Sequence, residues 1–294
     1  MRRGSRPLPV QAALPGGTAG GHADLVEWIA ASLDSGVRAA TGRRHLGRAM
    51  IEAQVHPTAR GAIVFDARLL EHVDDAWFDR HAVADRHAGG RGGVVVFDAA
   101  FGPCVLRHYR RGGMVARVNR DRYLYTGARR TRSFGEVDLL AGLLASGLHV
   151  PAPVAARFRR EGPWYRADLV TRRIPGASTL AERFAAGQLD AACASRVGRT
   201  IAAFHAHGAW HADLNAHNVM TDVSGAVWLI DFDRGRLRKP AMAWQQANLD
   251  RLHRSFVKLG ARSAEAAFDA AVWHPLLAAY HHALADHAVR GKST

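Results

Sequence analysis

Hydrophobic positions come in two rhythms along this chain. Up to about residue 174 they fall in short β-rich blocks; beyond it they recur every three to four residues, the helical period. Ala62-Ile63-Val64-Phe65 predicts a strand. Val94-Val95-Val96-Phe97 predicts another, and a turn over Ala99–Pro103 leads into a third, Cys104–Tyr109. Asp74–Arg80 is a short polar and aromatic stretch around Trp77 and Phe78. Phe134, Val137, Leu140, Ala141 and Leu144 predict a helix over 133–147, stopped by Gly147. Strands near Val154–Phe158 and Trp164–Thr171 follow, and Pro175-Gly176 breaks the chain. Thr179-Leu180-Ala181-Glu182 fits a capping box. Asp190 caps a longer helix with Val197, Ile201 and Phe204 on one face. After a loop over 210–218 comes a hairpin, Val219–Asp222 and Ala226–Ile230 about Ser224-Gly225. The remainder reads as helix, with an apolar stripe of Leu249, Leu252, Phe256 and Leu259 beside a basic one of Arg251, Arg254 and Lys258.

Strands and one helix, then mostly helices, predict an α+β fold of two lobes around a cleft. The expected organisation is a β-rich first lobe over residues 51–173 and a compact helical second lobe over 174–294. Residues 1–50 read as an extension. Its first 22 residues carry Pro and Gly with little apolar pattern and predict a disordered tail; 23–40 fit a short helix.

The chemistry concentrates in one string, His211-x-Asp213-x-x-x-x-Asn218, followed thirteen residues later by Asp231-Phe232. Phosphoryl transfer to an alcohol needs a carboxylate beside the attacking hydroxyl and oxygen ligands for a cation on the phosphates. A loop bearing Asp213 and Asn218, with a hairpin returning Asp231 beside them, supplies both. In order and separation these residues resemble the catalytic loop and metal-binding Asp-Phe pair of the protein-kinase-like superfamily. That resemblance implies Asp213 as the catalytic residue and Asn218 and Asp231 as ligands of Mg²⁺. It also implies a glycine loop over the phosphates of ATP, matched by Gly89-Gly90-Arg91-Gly92-Gly93 with Gly90, Gly92 and Gly93 against the nucleotide. The strand lysine of protein kinases has no counterpart, because the three lysines are Lys239, Lys258 and Lys292. Arg107 stands in that place, and a guanidinium also holds phosphate oxygens. Glu136 on the following helix is its expected partner. Adenine is expected against Thr171–Ile174. His211 is expected to be scaffold and His217 to pack or cap. Asp233 is expected to be solvated or paired with Arg234, with a lesser chance of joining the metal site.

Only 63 residues follow Asp231, and no Ala-Pro-Glu element closes that segment. A peptide-docking platform is therefore not expected. The strings Leu106–Gly113, Asp121-Arg122-Tyr123, Thr131–Phe134, Asp213–Asn218, Leu229–Arg234 and Asn248–Leu252 together resemble the bacterial 3-deoxy-D-manno-octulosonic acid (Kdo) kinase family over about residues 60–260. The resemblance implies transfer from ATP to the 4-hydroxyl of Kdo on a lipid A precursor, at the cytoplasmic side of the bacterial inner membrane. Heptose kinases of the same core and a Ser/Thr protein kinase are the neighbouring alternatives.

Charge adds to this picture. The net charge is +14 and the pI near 11.0, which implies anionic partners. From Arg107 to Arg132 there are nine arginines and one acidic residue, Asp121. An anionic glycolipid and an anionic membrane surface are the expected partners; neither nucleic acid nor an obligate protein partner is. No apolar run reaches the 18 or so residues of a membrane span. Cys104 and Cys193, far apart and outside any cluster, are expected to be free and buried.

Overall fold

The structure is a computed structural model and describes residues 51–83, 94–110, 121–261 and 265–290. The first lobe is built on an antiparallel sheet of seven strands. These are β1 (Ala53–Thr58), β2 (Gly61–Asp66), β3 (Val94–Ala99), β4 (Gly102–His108), β5 (Tyr123–Leu124), β6 (Pro153–Glu161) and β7 (Trp164–Arg172). The order is β1-β2-β6-β7-β4-β3, with β5 paired to β7. Helix α1 (Asp75–Val83) precedes β3, and helix α2 (Arg132–Ala145) follows β5.

Alternation along β2 explains the layering. Ala62 and Val64 face one side and join a core with Phe134, Val137 and Leu140 of α2. Ile63 and Phe65 face the other and join Phe78 of α1 with Val95, Phe97, Cys104 and Leu106. The sheet is therefore covered on both faces. The stretch read as polar and aromatic around Trp77 is the helix α1. Its polar residues bind rather than face water: Arg157 of β6, 2% exposed, donates to Asp79 (2.6 Å) and Asp75 (3.1 Å) of α1 and to Asp168 of β7 (2.6 Å). The strand β1 also escaped the sequence reading, because its positions are only half-buried at the sheet edge.

Beyond β7 the helical lobe begins. A short strand β8 (Ser178–Thr179) leads into α3 (Leu180–Ala185), where Thr179 and Glu182 form the expected capping box. Asp190 accepts from the Cys193 backbone at the start of α4 (Ala191–Ala206), as its position implied. β9 (Ala209–Trp210), β10 (Val219–Thr221), β11 (Val227–Leu229) and β12 (Arg236–Leu237) frame the loop and hairpin. Helices α5 (Met242–Lys258), α6 (Glu265–Phe268) and α7 (His274–Arg290) complete the lobe, with a π-helical turn over Asp269–Trp273. At Gly198 of α4 a Cβ would lie 2.1 Å from the Leu276 carbonyl oxygen, so α4 and α7 touch backbone to backbone there. Leu249, Leu252 and Phe256 of the expected stripe are buried; Leu259 ends the helix and is exposed. Both cysteines are buried and free.

Candidate active site

Arg107 lies on β4, opposite Leu169 of β7, and its guanidinium leaves the sheet toward α2. There Glu136, 4% exposed, accepts from Arg107 Nη2 and, on the same oxygen, from the Tyr109 hydroxyl at 2.7 Å. Its other oxygen accepts the Phe232 backbone N–H at 3.1 Å. One buried carboxylate thus joins the sheet to the hairpin of the second lobe. Arg107 Nη1 also donates to Asp231 Oδ1. Burial opposes the charge on Arg107, but the neighbouring Glu136 carboxylate outweighs it and keeps the guanidinium protonated. Burial and the same carboxylate raise the Tyr109 hydroxyl well above its ordinary value, so it stays a neutral donor.

The hairpin brings the acidic pair to the loop by register. Val219 faces Leu229, and the Ile230 N–H donates to the Asn218 carbonyl at 3.0 Å. Asp231 follows one residue later with φ at 60°, a left-handed conformation in which aspartate is over-represented. Phe232 is buried, its ring 5.8 Å from Phe204 of α4 and 4.6 Å from His211.

The loop from 211 to 218 is held from inside. His211 is buried, and burial lowers its pKa to about 4. A neutral ring with the proton on Nε2 fits its partners: Nε2 donates to the Ile230 carbonyl at 2.9 Å and Nδ1 accepts the Asp213 N–H at 3.1 Å. Asn215 accepts on Oδ1 from the backbones of His217 (2.9 Å) and Asn218 (3.2 Å), and its amide donates to Asp213 Oδ2 at 3.1 Å. Asn218 Nδ2 donates to the Asp213 carbonyl at 2.9 Å. Its carboxamide oxygen is thereby turned away from that bond. Leu214 and Ala216 are fully buried and pin the loop between these polar residues.

The expected residues Arg107, Glu136, Asp231, Asn218 and Asp213 are thus brought into one connected constellation. Gly90, Gly92 and Gly93 lie outside the described residues. Asp233 departs from expectation. It pairs with Arg132 Nη1 of α2 at 2.6 Å instead of with Arg234, because the packing of α2 against the hairpin brings that guanidinium within bonding distance. Sequence reasoning gave Arg132 only a general anion-binding role and Arg251 only a place in the basic stripe, and assigned Tyr109, Asn248 and Ser255 nothing at the site. Asn248 Nδ2 donates to the His211 carbonyl (2.9 Å), Ser255 Oγ accepts from Ala216 N (2.9 Å), and Arg251 Nη1 pairs with Asp213 Oδ1 at 3.5 Å. Their spacing of three and four was legible as one helix face, but nothing local said that the face meets the loop.

A magnesium ion suits the donors present. Asp231 offers a carboxylate, Asn218 a carboxamide oxygen, and Asp233 keeps a buried Oδ1 with no hydrogen-bond partner among the described residues. All are hard oxygen donors, and two or three from protein suffice when phosphates complete the shell.

The family model for the lipopolysaccharide kinase (Kdo/WaaP) family matches residues 74–280. A 3-deoxy-D-manno-octulosonic acid kinase of Xanthomonas axonopodis pv. citri is 50% identical over 210 residues, 70% of this chain and 84% of the relative. The enzyme of the same name from Xylella fastidiosa is 46% identical over 216 residues, 71% of this chain and 85% of its own. Among solved structures, the bifunctional kinase-methyltransferase WbdD is similar at 24% identity and a TM-score of 0.31, over 47% of this chain and 28% of that one, a likeness too partial to add to the fold. With a family model matching residues 74–280 and half of the aligned residues identical to such a relative across most of its length, the chain belongs to the lipopolysaccharide kinase (Kdo/WaaP) family.

Proposed function

We propose that this protein is a 3-deoxy-D-manno-octulosonic acid kinase. It transfers the γ-phosphoryl of ATP to the 4-hydroxyl of a Kdo unit carried by a lipid A precursor. The observation that carries the reading is the Glu136 bridge. It couples Arg107, the cation suited to the α- and β-phosphates, to the backbone beside Asp231.

Asp213 orients the acceptor hydroxyl and takes its proton as the oxygen attacks phosphorus in line; the bond to the β-phosphate oxygen breaks and ADP leaves. Its carboxylate is more than half exposed, at 58%, and so open to an acceptor. Asn218 and Asp231 would hold Mg²⁺, which when bound neutralises charge on the phosphates. Arg107, set by Glu136, steadies the α- and β-phosphates, and Gly90, Gly92 and Gly93 are the proposed nucleotide-binding glycines. Adenine rests on Thr171–Ile174, where the lobe of residues 51–173 passes into the lobe of 174–294. Catalysis on this reading is positioning plus electrostatics.

A glycolipid acceptor would in turn put the enzyme at the cytoplasmic face of the inner membrane, held peripherally. No helix among the described residues is long and apolar enough to cross a membrane. Exposed Leu237 and Met242 lie in a stretch with Arg234, Arg236, Arg238 and Lys239 and without an acidic residue between Asp233 and Asp250. Apolar tips among cations suit an anionic bilayer surface.

The test is incubation of the protein with ATP, Mg²⁺ and Kdo-bearing lipid A precursor, followed by mass spectrometry with fragmentation. One added phosphate on the Kdo ring is the expected result. Transfer only to a heptose-extended core would replace the acceptor and keep the chemistry.

A further inference from the structure

Helix α5 meets the catalytic loop along a single face. Asn248, Arg251 and Ser255 are spaced three and four apart and so share that face. They reach successive points of the loop. Asn248 exchanges hydrogen bonds with the backbone of His211, donating at 2.9 Å and accepting at 3.4 Å. Ser255 accepts from the Ala216 backbone. Between these two fixed points stands Arg251, in register with Asp213, its Nη1 at 3.5 Å from Oδ1. Leu252 and Phe256, fully buried on the adjoining face, keep the helix from rolling.

The contact itself is loose. It is longer than a charge-assisted hydrogen bond, and both side chains are open, Arg251 at 46% and Asp213 at 58%. A pair this exposed adds little to stability. Asp213 is the only ion-pair partner of Arg251 among the described residues, so most of the guanidinium fork is unengaged. Arg107, by contrast, is committed to Glu136 of the first lobe and Asp231 of the second. Arg107 and Arg251 therefore stand on different sides of the site. One serves the side where the phosphates are proposed to lie, and one stands beside the carboxylate that receives the acceptor hydroxyl.

We propose that Arg251 holds the carboxylate of the acceptor sugar and so selects which hydroxyl reaches Asp213. This rests on the Kdo reading above. An octulosonic acid differs from a neutral heptose in having a carboxylate on the ring, and a planar guanidinium grips a carboxylate through two parallel N–H bonds. A guanidinium carried on an anchored helix one residue-length from the base, once it grips the carboxylate, sets the separation between that carboxylate and one ring hydroxyl. Neutral sugars lack the handle, so the same contact discriminates against them.

The experiment compares wild type, Arg251→Gln and Arg251→Lys on two acceptors: the Kdo-bearing lipid A precursor, and the same molecule with the Kdo carboxyl reduced to a primary alcohol. Expected for Arg251→Gln is a rise of about 10- to 100-fold in acceptor KM on the acid, with the KM for ATP changed less than about twofold. Wild type should lose a similar factor on the alcohol, and Arg251→Gln should barely distinguish the two acceptors. Arg251→Lys, which keeps charge but not the fork, should fall between, and it carries the comparison if the glutamine variant is poorly folded. Equal penalties on acid and alcohol, or a rise in the KM for ATP in place of the acceptor's, overturn the assignment while leaving the kinase reading intact. Failure of wild type to phosphorylate the acid acceptor overturns the Kdo reading and this assignment with it.

Discussion

Glu136 accepts from three donors on two lobes, Arg107, Tyr109 and the Phe232 backbone, and each donor fixes a different part of the site. A helix position in the second turn of α2 and an arginine on β4 were readable from the sequence; the Phe232 bond was not, because it joins residues 96 apart. Asp213 shows the complementary case. Among the described residues its side chain bonds only to Asn215 and loosely to Arg251, so it contributes little to the fold and is available to substrate. Asp213→Asn keeps the shape and removes the proton acceptor. The expected outcome is a loss of about 10²- to 10⁴-fold in turnover, with ATP affinity and thermal midpoint near wild type. Parallel isothermal titration and single-turnover assays check it, and substantial residual transfer in the folded variant would remove Asp213 from its role.

At the scale of elements, two buried histidines tie helices and loop together. His205 of α4 bonds the Tyr280 hydroxyl of α7 at 2.9 Å, and His211 spans the loop and the hairpin. Burial lowers each from the ordinary 6.5 to about 4. The unfolded chain therefore binds more protons than the native one between those values. Stability from both is fully present above about pH 6.5 and is lost as pH falls toward 4, by a few kcal/mol in total (on the order of 1.4 per pKa unit and group at most). Urea midpoints measured from pH 7 to 4.5 should fall with acidification, and His205→Gln should flatten part of that slope. An unchanged slope in the variant would mean that His205 does not titrate with folding. The sequence marked His211 as scaffold from its place in the motif, but gave no hint of His205, whose burial depends on α7 crossing α4 where Gly198 admits its backbone.

For the whole molecule, charge is the property that reaches furthest from any one residue. A net +14 with exposed Leu237 and Met242 among arginines predicts salt-sensitive binding to anionic vesicles. Leu237→Glu with Met242→Glu should cut co-sedimentation with phosphatidylglycerol vesicles several-fold, since each glutamate places a like charge against the lipid. Catalysis on detergent-dispersed acceptor should persist. Equal sedimentation of variant and wild type would place the membrane-facing surface elsewhere.

Local pattern alone determined the α+β division, the helix caps at Thr179 and Asp190, and the order of Asp213, Asn218 and Asp231, because each depends on residues close in the chain. It could not say that α1 covers the second face of the sheet, since the acidic residues that made that stretch read as polar are matched by Arg157, about 80 residues away. Nor could it turn Asp233 from Arg234 to Arg132 or bring Arg251 to Asp213. Those pairings join groups far apart in sequence, and only the packing of β4, α2 and α5 around the loop brings them within bonding distance.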